Sequence, residues 1–323
     1  MPEAQLPNVD RFVGALLGGA MGDALGRPYE GSHRRSLDPP TALRYGGHLP
    51  GSITDDTEQT ILVAESLLDV GYLDPEDIAR RLVLWLPRGT GKGTATVHAV
   101  LRLGEKVPWY LAGEDSAGNG AAMRAGPVGL WWHRDAGRLR RDATLLSLPT
   151  HRHPTGVAGA VALATAIAYL VLSDARQFAP LSLAEAMARA ISGLEPEELA
   201  ERRDSSSRTT LAGRLLEVPA LLGLADDEVL LHRLWSGAFV IESLPAALYC
   251  FLRHPRDFEQ GVALAIAAGH DTDTVASFVG AMFGALHGAA ALPEHLVAGL
   301  AVRERMVELG HRLFEARCGK TGA

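Results

Sequence analysis

Apolar residues recur at helical spacing along nearly the whole chain, and this periodicity limits the possible folds more than any other feature. No β-branched run alternates with period two over a strand's length between turn signals. The pattern predicts an all-α protein. Helices are expected over 10–25 with Asp10 as N-cap, then 57–68, 75–86, 94–103, 121–132, 155–172, 183–191 and 196–203. The last third adds 237–253, 257–268, 274–286 and 293–316. Several are rich in Ala and Gly, as in GALLGGAMGDALG and AIAAGHDTDTVASFVGAMFGALHGAA, which lets helix axes approach closely. The longest apolar run, 156–172, falls just short of a bilayer span and reads as a tightly packed internal helix. Loops are expected at 27–53, 104–120 and 203–210, and the length of the first points to a functional role.

Two acidic clusters fall at predicted helix starts near opposite ends of the chain. One is Thr54-Asp55-Asp56-Thr57 and the other Asp271-Thr272-Asp273-Thr274. Capping alone accounts for either cluster by itself, since Asp and Thr satisfy free N–H groups and favour the helix dipole. A cap needs one such residue, however, and each cluster supplies more. If the fold joins them, four carboxylates meet, and their repulsion calls for cations. Carboxylate and hydroxyl oxygens suit Mg²⁺, Mn²⁺ or Ca²⁺ rather than zinc. A shared site also makes the two halves one domain, spanning residues 1–323.

Other segments carry weaker signals. In GDALGRPYEG the helix is expected to end at Gly26, leaving Glu30 in the loop as an acid–base group or a solvated carboxylate, with Asp23 a structural hydrogen-bonder. Ser116-Ala117-Gly118-Asn119-Gly120-Ala121-Ala122-Met123-Arg124 is a glycine-rich turn entering a helix, suited to a phosphate or to plain Asn-Gly turn chemistry. Thr150-His151-Arg152-His153-Pro154 offers two imidazoles before the long apolar helix. Gly89-Thr90-Gly91-Lys92-Gly93-Thr94 imitates a nucleotide-binding P-loop. It fails because Leu86 stands where a glycine is required and Gly93 where Ser or Thr must follow the lysine.

The net charge of −7 with no basic block argues against general nucleic-acid binding. Two distant cysteines, Cys250 and Cys318, exclude a disulfide framework or a zinc ribbon and fit a reducing cytoplasm. The N-terminal MPEAQLPNVD carries no signal-peptide core. A cytoplasmic monomer with no membrane association is the expectation.

Taken in order, GALLGGAMGDALG, TDDTEQT, SAGNGAAMRAGPVGL, THRHP, ESLPAALYCF and GHDTDTVASFVGAMFGALHG resemble the ADP-ribosylglycohydrolase family. The likeness runs over residues 12–288, and the C-terminal stretch 293–323 carries none of its motifs. The resemblance implies a compact, orthogonal multi-helix bundle with a central binuclear site and two Mg²⁺, with Mn²⁺ an alternative. Its metal ligands fall on Thr54, Asp55, Asp56, Asp271, Asp273 and Thr274. Substrate contacts fall on Gly118, Asn119, Gly120, Met123, Arg124 and His151, and Glu30, Asp55 and Asp273 are the catalytic candidates. The last motif departs from the family pattern, with His270 in place of a second glycine and its side chain expected beside the site. The implied reaction cleaves the bond at the anomeric carbon of the distal ribose through an oxocarbenium-like transition state. It releases ADP-ribose from a modified protein or other acceptor. Two rival readings are a Mg²⁺-dependent nucleotide phosphohydrolase and an ADP-ribose-binding module without turnover.

Overall fold

The computed structural model describes residues 7–33, 43–46, 49–195 and 210–319. Among these the protein is all-α, with sixteen α-helices and no strand beyond three isolated bridges. In chain order they are α1 (Val9–Gly26), α2 (Asp55–Val70), α3 (Pro75–Trp85), α4 (Thr94–Gly104), α5 (Trp109–Ala112) and α6 (Gly126–Trp131). Next come α7 (Ala136–Ser147), α8 (Pro154–Val171), α9 (Pro180–Ala190), α10 (Leu211–Leu221) and α11 (Asp226–His232). The last are α12 (Val240–Arg253), α13 (Phe258–Ala268), α14 (Thr272–His287), α15 (Glu294–Gly299) and α16 (Arg303–Cys318).

The antiparallel pair α1 and α14 positions the site. Glycines at every fourth residue of α1 leave its backbone against that of α14. A Cβ added at Gly18 would stand 2.2 Å from the Gly280 carbonyl oxygen, and one at Gly22 would stand 2.0 Å from that of Ala276. At the end of the seam, Thr272 Oγ1 donates to the Gly26 carbonyl at 2.8 Å. The C-terminus of α1, which carries Asp23, is thereby fixed against the N-terminus of α14, which carries Asp273. Helix α8 is long and apolar enough to cross a membrane, but 83% of it is buried inside the protein, so it is the internal helix its composition predicts.

Several expected boundaries move. Asn8, not Asp10, caps α1 by accepting from Arg11 N at 3.0 Å, while Asp10 accepts from Ala290 N. The segment expected as one helix over 121–132 is turns at 121–124 followed by α6. Pro127 lies in the first turn of α6, where its missing N–H costs nothing, and it disfavours helical geometry just before it. The stretch 293–316 divides into α15 and α16 because Ala301 N leaves the helical ladder to donate to Gly51 O. Helices α5, α7, α10 and α11 were not anticipated. Pro219 inside α10 reads as a breaker, and the apolar stripe of α7, Leu139, Ala143 and Leu146, is short and set among charged residues. The helix expected over 196–203, the loop at 203–210 up to residue 209, and residues 34–42 and 47–48 of the loop at 27–53 lie outside the described residues.

Candidate active site

The two acidic clusters meet at the floor of one open cavity of about 470 Å³. The first cluster is placed by Asp23, which is fully buried on α1. Its carboxylate accepts from Thr54 N at 3.0 Å, Thr54 Oγ1 at 2.9 Å, Thr57 N at 3.2 Å and the Thr57 hydroxyl. This pins the start of α2. Thr54 also caps that helix, accepting from Asp56 N, so Asp55 and Asp56 occupy its first turn, where the dipole favours them. The second cluster is fixed by the α1–α14 seam and by Asp271 N, which donates to Ser236 O at 3.0 Å. Asp271 makes no side-chain capping bond, which leaves its carboxylate for the cavity. Thr274 Oγ1 then joins the clusters by donating to Asp56 Oδ2 at 3.2 Å.

The electrostatics match this crowding. Burial, reinforced by Asp273 and Asp23, pushes the Asp55 carboxyl up to about 8 and that of Asp56 well above its ordinary value. Burial and then Asp271 raise Asp273 to about 7, and burial raises Asp271 against its bond from Asn119. Asp23 is raised to about 7 by burial, although its hydrogen bonds to Thr57 and Thr54 oppose the shift. Glu30 stands at the cavity mouth, raised by partial desolvation and then by Asp273 and Asp23. Like-charged oxygens in a low-dielectric floor hold protons unless a cation replaces them.

The residues present fit a hard divalent cation. Asp56 Oδ1 is buried with no hydrogen-bond partner, an orphaned acceptor aimed among carboxylates. Asp55, Asp56, Asp271, Asp273 and Thr274 all line the cavity, and their donor atoms are oxygens only. Among the described residues, no group of three or more His, Cys, Asp or Glu side chains is arranged to hold a metal ion as it stands. Thr54, expected among the ligands, does not line the cavity. Its hydroxyl is given to Asp23.

The opposite wall is the Gly118-Asn119-Gly120 turn with Met123 and His151. A Cβ at Gly120 would meet His151 Cε1 at 2.7 Å, so the turn is glycine-rich because an imidazole packs on its backbone. Asn119 Nδ2 donates to Asp271 Oδ2 and to Ser243 Oγ, joining this wall to the acidic floor. His151 is held neutral by burial and by Arg124, its pKa lowered to about 3. His153 is turned elsewhere and caps α8.

Arg124 is not where the sequence places it. It is fully buried, lies outside the cavity lining and touches no open space. Its guanidinium donates to Gln59 Oε1 at 2.6 Å, Thr150 Oγ1 at 2.5 Å and Leu146 O at 3.2 Å. Gln59 donates in turn to Asp55 Oδ2, and Thr150 Oγ1 bonds His151 Nδ1 at 2.9 Å. A buried hydrogen-bonded chain therefore runs from the acidic floor to the imidazole, and Arg124 is its centre. His270 is also outside the lining. It adopts φ 59° and stacks at the rim between His33 and Trp235.

Sequence reasoning missed part of the wall. Gly91, Gly93, Thr94 and Thr96 from the false P-loop line the cavity, as do Ser116, Phe239 and Glu242. The false P-loop is held by Glu58, which accepts from Thr90 N at 3.1 Å and Trp85 Nε1 at 2.7 Å. A glycine-rich stretch two helix-lengths from any acidic motif was the signal. Phe239, an aromatic 57% exposed beside a buried helix, could not be distinguished from a surface residue in sequence.

Fold and site together define a class: an all-α protein in which two helix starts gather buried carboxylates beneath a cavity walled by a Gly-Asn-Gly turn and a neutral histidine. The profile of the ADP-ribosylglycohydrolase family matches residues 4–322. The chain belongs to that family and is a hydrolase acting on ADP-ribosyl glycosidic bonds. It is 33% identical over 322 residues to an uncharacterised protein of Archaeoglobus fulgidus, covering 95% of this chain and 96% of that one. It is 30% identical to ADP-ribosylhydrolase ARH3 of Mus musculus, covering 95% and 93% of the two chains. It is 26% identical to ADP-ribosylarginine hydrolase Tri1 of Serratia proteamaculans, covering 97% and 81%. Among solved structures, a chain described as an ADP-ribosylglycohydrolase-related protein complex superposes with a TM-score of 0.76 at 29% identity. That match covers 96% of this chain and 98% of the other.

Proposed function

We propose that the protein uses divalent metal to hydrolyse the bond at the anomeric carbon of the distal ribose in an ADP-ribosyl group, releasing ADP-ribose from a modified protein or other acceptor. The observation that carries the metal dependence is Asp56 Oδ1, buried and unpartnered among carboxylates that burial has pushed toward protonation. Asp55, Asp56, Asp271, Asp273 and Thr274 would hold two Mg²⁺, with Mn²⁺ an acceptable substitute and Thr54 at the edge of the set. Bound there, the ions supply positive charge that orients and polarises the ribose hydroxyls.

The chain's own groups supply the rest. Glu30, at the mouth with its pKa raised by desolvation and by Asp273 and Asp23, is placed to pass a proton to the leaving group or to take one from water. Neutral His151 offers a hydrogen bond to a ligand without adding charge. Gly118 and Gly120 seat the His151 imidazole against the turn, which sets the turn backbone and the ring together on one wall of the cavity. A chain with only two cysteines, Cys250 and Cys318, far apart in sequence, is in keeping with action in a reducing cytoplasm.

The test is product release from arginine-linked, serine-linked and nucleobase-linked ADP-ribosyl substrates, with Mg²⁺ or with chelator. An Asp55→Ala/Asp273→Ala variant is run alongside. Free ADP-ribose that requires metal and disappears in the variant supports the reading and names the linkage. AMP or phosphate as product would replace it with phosphohydrolysis, and no release from any substrate would sink it.

A further inference from the structure

We infer that Arg124 and Thr150 are positioning residues: acting through the Thr150 hydroxyl, Arg124 holds the His151 ring as the tautomer protonated on Nε2. The cavity wall then donates a hydrogen bond to an acceptor oxygen of the bound ADP-ribosyl group. The inference rests on the hydrolase reading above. It adds to that reading two residues that do not line the cavity and the protonated atom they set on its wall.

Arg124 is fully buried, and a guanidinium can donate hydrogen bonds but not accept them. Its Nη1 meets Gln59 Oε1 at 2.6 Å and its Nη2 meets Thr150 Oγ1 at 2.5 Å. Both oxygens must therefore accept. At Gln59 this turns the amide nitrogen away from Arg124, toward Asp55 Oδ2 at 3.3 Å. At Thr150 the hydroxyl still has its own proton to place, and His151 Nδ1 stands 2.9 Å away. Thr150 is fully buried, and among the described residues Nδ1 is the only other hydrogen-bond partner of its hydroxyl. If Nδ1 carried the ring proton and donated to Oγ1, the hydroxyl proton would be buried with no acceptor, the costlier arrangement. If the hydroxyl donates to Nδ1, every group in the chain is satisfied. One central cation thus orients the links outward, to the acidic floor on one side and to the imidazole on the other.

The far side of the ring receives the consequence. Burial, and then Arg124, lower the His151 pKa to about 3, so the ring is neutral and carries one proton. With Nδ1 accepting, that proton sits on Nε2. Nε2 lies against the glycine turn: a Cβ at Gly118 would stand 3.3 Å from it, and one at Gly120 3.2 Å. Among the described residues no group bonds Nε2, while the ring lines the cavity. A buried donor without a partner on a cavity wall points to a ligand. In the other tautomer the Nε2 lone pair would repel any oxygen that can only accept.

The experiment reads tautomer and affinity separately. Long-range nitrogen–proton correlation NMR on histidine-labelled wild-type protein with Mg²⁺ tells a protonated ring nitrogen from a bare one. The His151 signals are those missing from His151→Ala. The expected spectrum has Nε2 protonated and Nδ1 bare, and the reverse overturns the inference whatever the activity. Arg124→Met removes the fixed donor, so an Nδ1-protonated fraction should appear; a folded variant with an unchanged spectrum overturns the part given to Arg124. Calorimetry with free ADP-ribose and Mg²⁺ then tests Thr150. Thr150→Val should weaken binding on the order of tenfold, the factor of one lost hydrogen bond, and Thr150→Ser should restore it. In a His151→Ala background, Thr150→Val should change affinity by no more than about twofold, since its effect passes through the ring. Equal loss in both backgrounds, or loss in neither, makes Thr150 merely structural and overturns the positioning role. Wild-type protein that does not bind ADP-ribose overturns the donor role. Wild-type protein that binds it with Nε2 protonated, yet releases none from any substrate, overturns the hydrolase reading and leaves the donor role standing.

Discussion

Two adjacent glycines on α1 give opposite expectations for the same substitution. At Gly18 an added Cβ would stand 2.2 Å from the Gly280 carbonyl oxygen and 2.9 Å from its carbon, both backbone atoms. Real Cβ contacts essentially never fall below 3.0 Å, so α1 and α14 must part by roughly 0.8 Å, the difference between 3.0 and 2.2. A gap of that size forfeits about a quarter to a half of the dispersion attraction of each contact along the seam. Gly18→Ala is expected to cost about 3 kcal/mol from overpacking, offset by at most about 1 kcal/mol of helix propensity. At Gly19 the nearest atom is Ala281 Cβ at 3.4 Å, an ordinary contact, and only the propensity gain remains. Gly19→Ala should therefore be neutral or stabilising by up to about 1 kcal/mol. Equilibrium urea unfolding measures both, and the Gly18→Ala midpoint should fall while that of Gly19→Ala holds or rises, at similar slope. The same displacement shifts Asp273 relative to Asp55, so Gly18→Ala should also weaken Mg²⁺ binding by calorimetry while Gly19→Ala leaves it unchanged. Equal midpoints for the two variants would refute the claim that backbone contact between α1 and α14 sets the site.

Four further outcomes are expected. Asp23→Asn replaces one acceptor oxygen by an N–H₂ facing the Thr54 and Thr57 donors, and should cost about 2–3 kcal/mol in the same unfolding assay. In chelator, the carboxyls of Asp55 (about 8), Asp273 (about 7) and Asp23 (about 7) keep protons that the unfolded chain releases near 3.8. The folded state thus binds more protons between these values, and stability must fall as pH rises from about 4 to about 8. Melting in chelator should be higher at acidic than at mildly alkaline pH, with Mg²⁺ restoring most at the alkaline end; a flat profile in chelator contradicts the crowding of the floor. Arg124→Ala strands Gln59, Thr150 and the Leu146 carbonyl in the core and should cost about 3 kcal/mol or more, seen as a lowered urea midpoint. Asn119→Asp sets a carboxylate where the amide now donates to Asp271, so melting without metal should fall and the rise on adding Mg²⁺ should grow.

Much of this was legible in the chain itself. Periodicity gave the helical class and most long helices, because an amphipathic or wholly apolar helix writes its own spacing. The acidic clusters were visible because each crowds more carboxylates into a helix start than a cap requires. Glu30, the glycine turn and His151 carry local signatures of the same kind, and all of them line the cavity. Other features left no such trace. Arg124 sits in the turn motif, yet its side chain is drawn inward by Gln59 and Thr150, partners that lie 65 and 26 residues away in sequence. His270 departs from the family pattern, but its direction depends on backbone bonds to Ser32 and Gly31. Local sequence determines which segments become helices and which residue types stand at their ends, since both are settled within a few residues of chain. Only tertiary packing decides which of those ends face one another. The glycine seam brings Asp56 and Thr274, 218 residues apart, to 3.2 Å, and long-range contact of that kind has no period to read.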